Sequence, residues 1–188
     1  MTTEPTTHTR WVVLVEGPSD REALATLARR LGRDLPGEGV EIVSIGGAHA
    51  IGRFLLDLPH DVQTAGLCDA GEVGAFGRAL ERAGTGPAAT RDDLERLGFY
   101  VCEPDLESEL ISALGAADVE AVLGENGDLG SFRTFQKQPQ WQGRPVEAQL
   151  RRFFGSSAGK IKYGRLLAEA VDLQRVPRPL AALLARVR

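Results

Sequence analysis

Trp11–Asp20 reads WVVLVEGPSD. Five apolar, mostly β-branched residues run straight into Glu16-Gly17, which predicts a buried strand ending in a carboxylate. Ser19-Asp20-Arg21-Glu22 follows with the spacing of a capping box, Ser19 serving as the cap of an amphipathic helix. In an open α/β sheet the functional crevice lies outside the carboxyl ends of the strands, so this strand would deliver Glu16 to where ligands bind. The same residues also admit a plainer reading, in which Glu16 is a solvated turn residue and Ser19 only a cap.

The pattern repeats along the chain. The first helix, Asp20–Leu31, has Ala23, Leu24, Leu27, Ala28 and Leu31 on one face and stops at Gly32. A second strand, Val40–Ile45, ends at Gly46-Gly47, and Ala48–Leu58 carries a helical period. A third strand, Val62–Cys68, delivers Asp69-Ala70-Gly71-Glu72 ahead of a helix that runs to Gly84. Thr90 caps a short helix through Asp93, and Phe99–Cys102 is the fourth strand, with Glu103-Pro104-Asp105-Leu106-Glu107-Ser108-Glu109 as its outlet. Strands alternating with helices predict an α/β fold, a parallel sheet of about four strands flanked by helices.

Beyond about residue 116 the pattern is helical, so the expected organisation is a disordered lead-in (1–10), a core (11–125) and a basic helical C-terminal region packed on that core (126–188). Asn126–Ser131 reads as the boundary loop, and Phe132–Trp141 is polar and aromatic without a clean period. Pro145 starts a helix through Phe154, Ser156-Ser157-Ala158-Gly159 precedes another, and Pro179 lies in the first turn of the last.

The net charge of −4 conceals an asymmetry: residues 130–188 hold 12 Lys and Arg against three acids, while residues 1–129 hold 10 against 23. An acidic body with a basic tail fits a metal-binding surface beside a polyanion-binding one, although two solvated faces would have the same composition. No apolar run approaches a membrane span and the polar start lacks a signal-peptide core, so no membrane partner and a cytoplasmic location are expected. Cys68 and Cys102 lack the paired spacing of a zinc or redox motif and read as reduced core residues.

Glu16, Asp20, Asp69, Glu72, Glu103, Asp105, Glu107 and Glu109 all fall near one edge of the predicted sheet. Their mutual repulsion calls for a counter-ion, and a hard divalent cation with oxygen ligands, Mg²⁺ or Mn²⁺, is the usual solution. His8, His49 and His60 form no HxH or HxxxH pair and read as surface residues.

VVLVEGPSDREAL, IVSIGGAHAIGRFL, LCDAGE and DLESELISALG, in that order and spacing, resemble the Toprim domain of the OLD (overcoming lysogenization defect) family nucleases, over about residues 11–115. GSSAGKIKYGRLLAEAV and VPRPLAALLARV resemble the helical part that follows it. The resemblance implies a Toprim-like, Rossmann-like sheet and metal-dependent cleavage of DNA by two-metal phosphodiester hydrolysis, with Mg²⁺ or Mn²⁺ as cofactor. By the same resemblance Glu16, Asp20, Asp69 and Glu107 match metal-site acids, and Lys160 matches a lysine reaching that site; Glu16, Asp69 and Lys160 are then the catalytic candidates. Family members usually have Asp-x-Asp after the third strand, whereas this chain has Gly71 at the third position and Glu72 next. Either Glu72 supplies the missing carboxylate or one metal site is weak.

The larger relatives carry an ATPase domain; this chain stands alone in that respect, with no GxxxxGK[ST] motif. DNA is the expected partner, and a separate ATPase or another protein is the candidate second one. Arg144, Arg151, Arg152, Lys160, Lys162 and Arg165 are the candidate nucleic-acid contacts. The alternative to an endonuclease is a non-catalytic Toprim-like module that binds nucleic acid or a partner, and a primase-type nucleotidyl transfer is a weaker third.

Overall fold

The computed structural model describes residues 9–155 and 159–188. Most of the expected lead-in, with His8, and Ser156-Ser157-Ala158 lie outside the described residues.

Four parallel strands, β1 (Trp11–Val15), β2 (Val40–Ser44), β3 (Gln63–Asp69) and β4 (Phe99–Cys102), form one sheet in the order β2-β1-β3-β4. All adjacent pairs are parallel, with Val15 opposite Ser44, Leu14 opposite Gly66 and Asp69 opposite Cys102. The chain therefore leaves β1 toward one edge and returns to β3 on its other side. That reversal makes the carboxyl ends of β1 and β3 the switch point where such sheets open a crevice. Gly66 is required here by contact, since a Cβ would stand 2.4 Å from Leu14 O and 2.8 Å from the Phe99 ring.

Strand alternation divides the core. Val13 and Val15 face α1 (Pro18–Arg30) and the later helices α5 (Leu106–Leu114), α6 (Ala116–Glu125), α7 (Leu129–Gln136), α8 (Val146–Gly155), α9 (Gly159–Ala170) and α10 (Arg178–Arg186). Val12 and Leu14 face a 3-10 turn at Ala48–Ala50 and α2 (Ile51–Asp57), α3 (Val73–Arg82) and α4 (Arg91–Arg96). One continuous apolar cluster joins Val13 and Leu24 to Phe132, Phe154, Tyr163 and Leu167. Each such fully buried side chain contributes about 1.5–3 kcal/mol relative to exposure. Cys68 and Cys102 are buried and free, and burial pushes the Cys68 thiol up to about 12.

Three local expectations need correction. The first helix starts at Pro18, with Gly17 as its cap and Asp20, not Glu22, reaching back to the cap N–H; Ser19 is buried inside the first turn. Proline suits the first helical position because its fixed φ and missing N–H cost nothing there, and this moves the start upstream of Ser19. The segment after Gly46-Gly47 is a 3-10 turn followed by α2, not one helix. Phe132–Trp141 and the end of the expected boundary loop contain α7, whose Phe132 is fully buried. The Thr90–Asp93 capping box is present, with Thr90 N donating to Asp93 Oδ2 (2.9 Å) and Asp93 N to Thr90 Oγ1 (3.2 Å). Among the described residues no helix is long and apolar enough to cross a membrane.

The two halves of the chain meet most closely where α9 packs along α1. A Cβ on Gly164 would lie 2.8 Å from Ser19 O, a backbone atom that cannot rotate away. Gly164→Val should therefore cost about 1–3 kcal/mol through overpacking. For a domain of this size that is a fall in Tm of roughly 3–10 °C. Gly130→Ala, where a Cβ meets open space, should cause no loss in the same calorimetric scan. A wild-type Tm for Gly164→Val would refute the backbone contact.

Candidate metal and nucleic-acid site

Gly46 and Gly47 have φ of 76° and 110°, the left-handed region that glycine alone enters freely. This turn aims two amides at one acceptor: Gly46 N and Gly47 N both donate to Glu16 O, at 3.1 and 3.0 Å. The backbone of Glu16 is thus clamped at the end of β1. Its side chain bends across the switch point, where Glu16 Oε1 accepts from Asp69 N at 3.0 Å. Ala70 N donates to Pro104 O (3.1 Å), which ties the outlet of β3 to that of β4 after the cis Glu103-Pro104 bond.

Asp20 Oδ2 accepts from Gly17 N at 2.7 Å, so the helix cap and the acid site share one carboxylate. Glu107 lies in the first turn of α5, where the helix dipole favours an acid. Its side chain is only 6% exposed, and Lys160 Nζ stands 3.3 Å from Glu107 Oε1. That approach lacks hydrogen-bond geometry, and Glu107 Oε1 is the one buried side-chain oxygen or nitrogen among the described residues with no hydrogen-bond partner. Asp105 caps α5 through Ser108 N (2.9 Å) and pairs with Arg151 Nε (2.5 Å). Glu109 accepts from Glu103 N at 2.9 Å. The two neighbours of Glu107 therefore have structural tasks.

Electrostatics ties these groups together. Burial, then the charges of Glu16, Asp20, Asp105 and Glu107, push Asp69 up to about 8. Burial with Glu107 and Glu16 takes Asp20 to about 6 against the pull of the Gly17 amide and Lys160. Glu16 is also raised, by burial foremost and by Glu72 and Glu107, despite the Asp69 amide. Burial alone would lower Lys160, but Glu107, Asp20 and Asp69 outweigh it and hold the ammonium above its ordinary value. Burial likewise opposes ionisation of Asp105, and the hydrogen bonds from Ser108 and Arg151 prevail, so it stays below its ordinary value. Glu16, Asp20, Asp69, Glu72 and Glu107 thus form one electrostatic group with the Lys160 ammonium over it.

Among the described residues no three His, Cys, Asp or Glu side chains converge as a ready-made metal cage. The reason is visible in the partners: Glu16 and Asp20 each lend an oxygen to a backbone amide. The donor chemistry nevertheless suits a hard cation. All five acids are oxygen donors, the Glu107 oxygen is buried without a hydrogen bond, and Mg²⁺ commonly needs only one or two carboxylates besides water. At Gly71 a Cβ would meet nothing within 4 Å, so the missing acid is not excluded by space. His49 and His60 are exposed.

The six candidate phosphate contacts separate into two sets. Arg144, Arg151, Arg152 and Lys160 line a cleft of about 450 Å³ together with Asp105, Glu107 and Trp141. Lys162 and Arg165 lie elsewhere, paired with Asp128 (2.7 Å) and Glu169 (2.8 Å). Lys162 shares Asp128 with the Tyr163 hydroxyl. Two residues apart on α9, Lys160 and Lys162 therefore face different partners, as helical spacing requires. Sequence reasoning missed Trp141; its only signal was an aromatic in a polar stretch close to basic residues.

Residues 9–69 match the family model described as overcoming lysogenization defect protein-like, TOPRIM domain. Over that span the chain is similar to an OLD-like Toprim domain. The matched span begins just ahead of β1 and ends on Asp69, so it contains the Glu16, Gly46-Gly47 and Asp69 elements. The fold extends the likeness past it. The C-terminal region of the Xanthomonas campestris pv. campestris OLD protein superposes with a TM-score of 0.73 at 22% identity, over 95% of this chain and 92% of that one. The C-terminal region of the Burkholderia pseudomallei OLD protein gives 0.72 at 18% identity, over 95% and 97%. The OLD-like fold thus includes the C-terminal helices. No curated protein matches the sequence.

The raised acids of this site fix the sign of its pH dependence. Folded Asp69 holds its proton to about pH 8, whereas the unfolded chain releases it near the ordinary 3.8. Its contribution to stability is complete below about pH 4 and is lost as pH rises through about 8. In EDTA the Tm should decline from pH 5 to pH 8, and Asp69→Asn should flatten that decline and melt higher than the wild type at pH 8. Parallel Tm curves for the two proteins would contradict the crowding.

Proposed function

We propose that this chain is a divalent-metal-dependent DNA endonuclease, cutting or nicking phosphodiester bonds with Mg²⁺ or Mn²⁺ held by Glu16, Asp20, Asp69, Glu72 and Glu107. The observation that carries this reading is the buried Glu107 oxygen without a hydrogen bond, set beside the crowded acids at the switch point and 3.3 Å from Lys160. Repulsion of this kind in a half-buried pocket is relieved by a multivalent cation and poorly by one ammonium. When bound, a pair of such ions activates water and stabilises the leaving oxygen of an in-line displacement. The Toprim likeness agrees with a function on nucleic acid.

The chain's own groups have separable tasks. Glu16 is held by its backbone at Gly46-Gly47 and by Oε1 at Asp69 N, at the carboxyl ends of β1 and β3. Asp20 keeps Oδ1 free while Oδ2 holds the helix start. Lys160 remains a full cation and is half-exposed, so it is available to a scissile phosphate as well as to Glu107. An ammonium fixed there would stabilise charge developing on the phosphate oxygens. Arg144, Arg151 and Arg152 extend the positive surface along the same cleft. The lack of a ready-made cage of three acids among the described residues favours one second reading, a non-catalytic nucleic-acid-binding module.

Cleavage of supercoiled plasmid by the purified protein decides between them. Nicked or linear product should appear with Mg²⁺ or Mn²⁺, vanish in EDTA, and be lost in Glu16→Gln and Asp69→Asn. Lys160→Ala should slow cleavage by at least about a hundredfold with near-normal DNA binding, as for removal of one transition-state donor. Lys162→Ala should cleave normally. Binding without any metal-dependent product would leave only the binding module.

The salt dependence of DNA binding tests the cleft. Each phosphate neutralised on duplex DNA contributes a slope of about −0.9 in log K against log salt. Replacing Arg144 and Arg152 with alanine should flatten the slope by roughly one to two units. Arg165→Ala, whose guanidinium is occupied by Glu169, should leave it unchanged. The reverse pattern would move the DNA contact to the outer face of α9.

A further inference from the structure

The turn after α7 is held from beneath by a buried amide. Gln149 on α8 is 6% exposed, and its Nε2 donates both to Trp141 O (2.8 Å) and to Arg144 O (3.0 Å). Its Oε1 accepts from Gln136 Nε2 at 2.6 Å, so every polar atom of that side chain is engaged. The two backbone positions it fixes belong to the two residues of this turn that line the cleft beside Glu107 and Lys160.

The Trp141 ring is also supported. Its centroid lies 5.1 Å from that of Phe135 at 30°, and Phe135 in turn packs edge-on to Phe153 at 5.7 Å. A half-buried indole is thus held at the cleft wall by aromatic packing and by its own backbone. Arg144 and Arg152 flank it, exposed, and make no ion pair among the described residues. A fixed aromatic surface with two available guanidinium groups is the combination that binds single strands, where bases stack and cations follow the phosphates. A cleft of about 450 Å³ takes a group on the scale of one nucleotide.

We propose that Trp141 is a stacking platform for an unpaired base of single-stranded DNA, with Arg144 and Arg152 on the adjoining phosphates, so that the strand passes through the cleft toward Glu107 and Lys160. The inference rests on the nucleic-acid part of the endonuclease reading and names its substrate as unpaired DNA at the site of cleavage. Gln149 positions the platform and does not itself touch the strand.

The test uses the full chain in EDTA, so that binding is read without cleavage. The protein has two tryptophans, and Trp11→Phe leaves Trp141 as the sole indole reporter. Oligo(dT) should quench its fluorescence saturably, and a blunt duplex hairpin of equal length should quench it far less. By anisotropy, Trp141→Ala should weaken oligo(dT) binding by about fivefold to a hundredfold, the range of one lost base stack. Duplex binding should change by less than about twofold, and Trp141→Phe should retain most of the single-strand affinity. Equal losses on both DNAs, or none, would overturn the assignment. Should Trp141→Ala fail to fold, the quenching and the Trp141→Phe affinities decide alone: absence of single-strand quenching refutes the platform. A protein that quenches with oligo(dT) but never cuts plasmid removes the nuclease reading and keeps this one, while cutting without quenching does the opposite.

Discussion

Negative charge confined at the carboxyl ends of β1 and β3 is the constraint to which the rest of the molecule is fitted. Burial and mutual repulsion lift Asp69, Asp20 and Glu16 together, and the fold tolerates this because backbone amides are brought to the same place. Asp69 N serves Glu16, Gly17 N serves Asp20, and the two glycine amides serve the Glu16 carbonyl. Each of those hydrogen bonds also completes a strand end or a helix start. The acids are therefore part of the scaffold that holds them.

The C-terminal helices supply the other sign. Much of the tail's positive charge is met locally or by the body: Arg133 pairs with Glu120, Arg178 with Glu95, Lys162 with Asp128 and Arg165 with Glu169. Exposed pairs of this kind contribute little to stability, typically below about 1 kcal/mol. They do neutralise part of the tail's charge away from the cleft beside Glu107. Contact of Gly164 with Ser19 then sets the height of α9 on α1, and so the reach of Lys160 one turn away.

Period and punctuation in the sequence were enough for β1 and β4, whose bounds agree to the residue, and for the parallel α/β class. The apolar runs WVVLV and FYVC are continuous because both strands are buried on two faces. The acids were legible as strand-end residues, but their partners were not, since backbone amides leave no mark in sequence. Asp20 illustrates this: its spacing suggested a first-turn acid, and only the fold shows that it serves Gly17 and faces Glu107 as well. The helix α7 was missed because its apolar positions, Leu129, Phe132 and Phe135, are separated by polar residues that suit both loop and helix. Lys162 and Arg165 were grouped with Lys160 by proximity along the chain, whereas the turn of the helix sends them to Asp128 and Glu169.

In chain order Glu16 and Asp20 come first, Glu107 later, and Lys160 last of this group. Until α9 docks on α1, the nascent chain holds its acids without their ammonium, and the cleft wall of Arg144, Arg151 and Arg152 has no neighbour in Lys160. Synthesis order thus imposes a latency: a ribosome-bound fragment with a folded sheet lacks the basic half of its site. The basic half of the site is completed only once α9 has been made and has docked on α1.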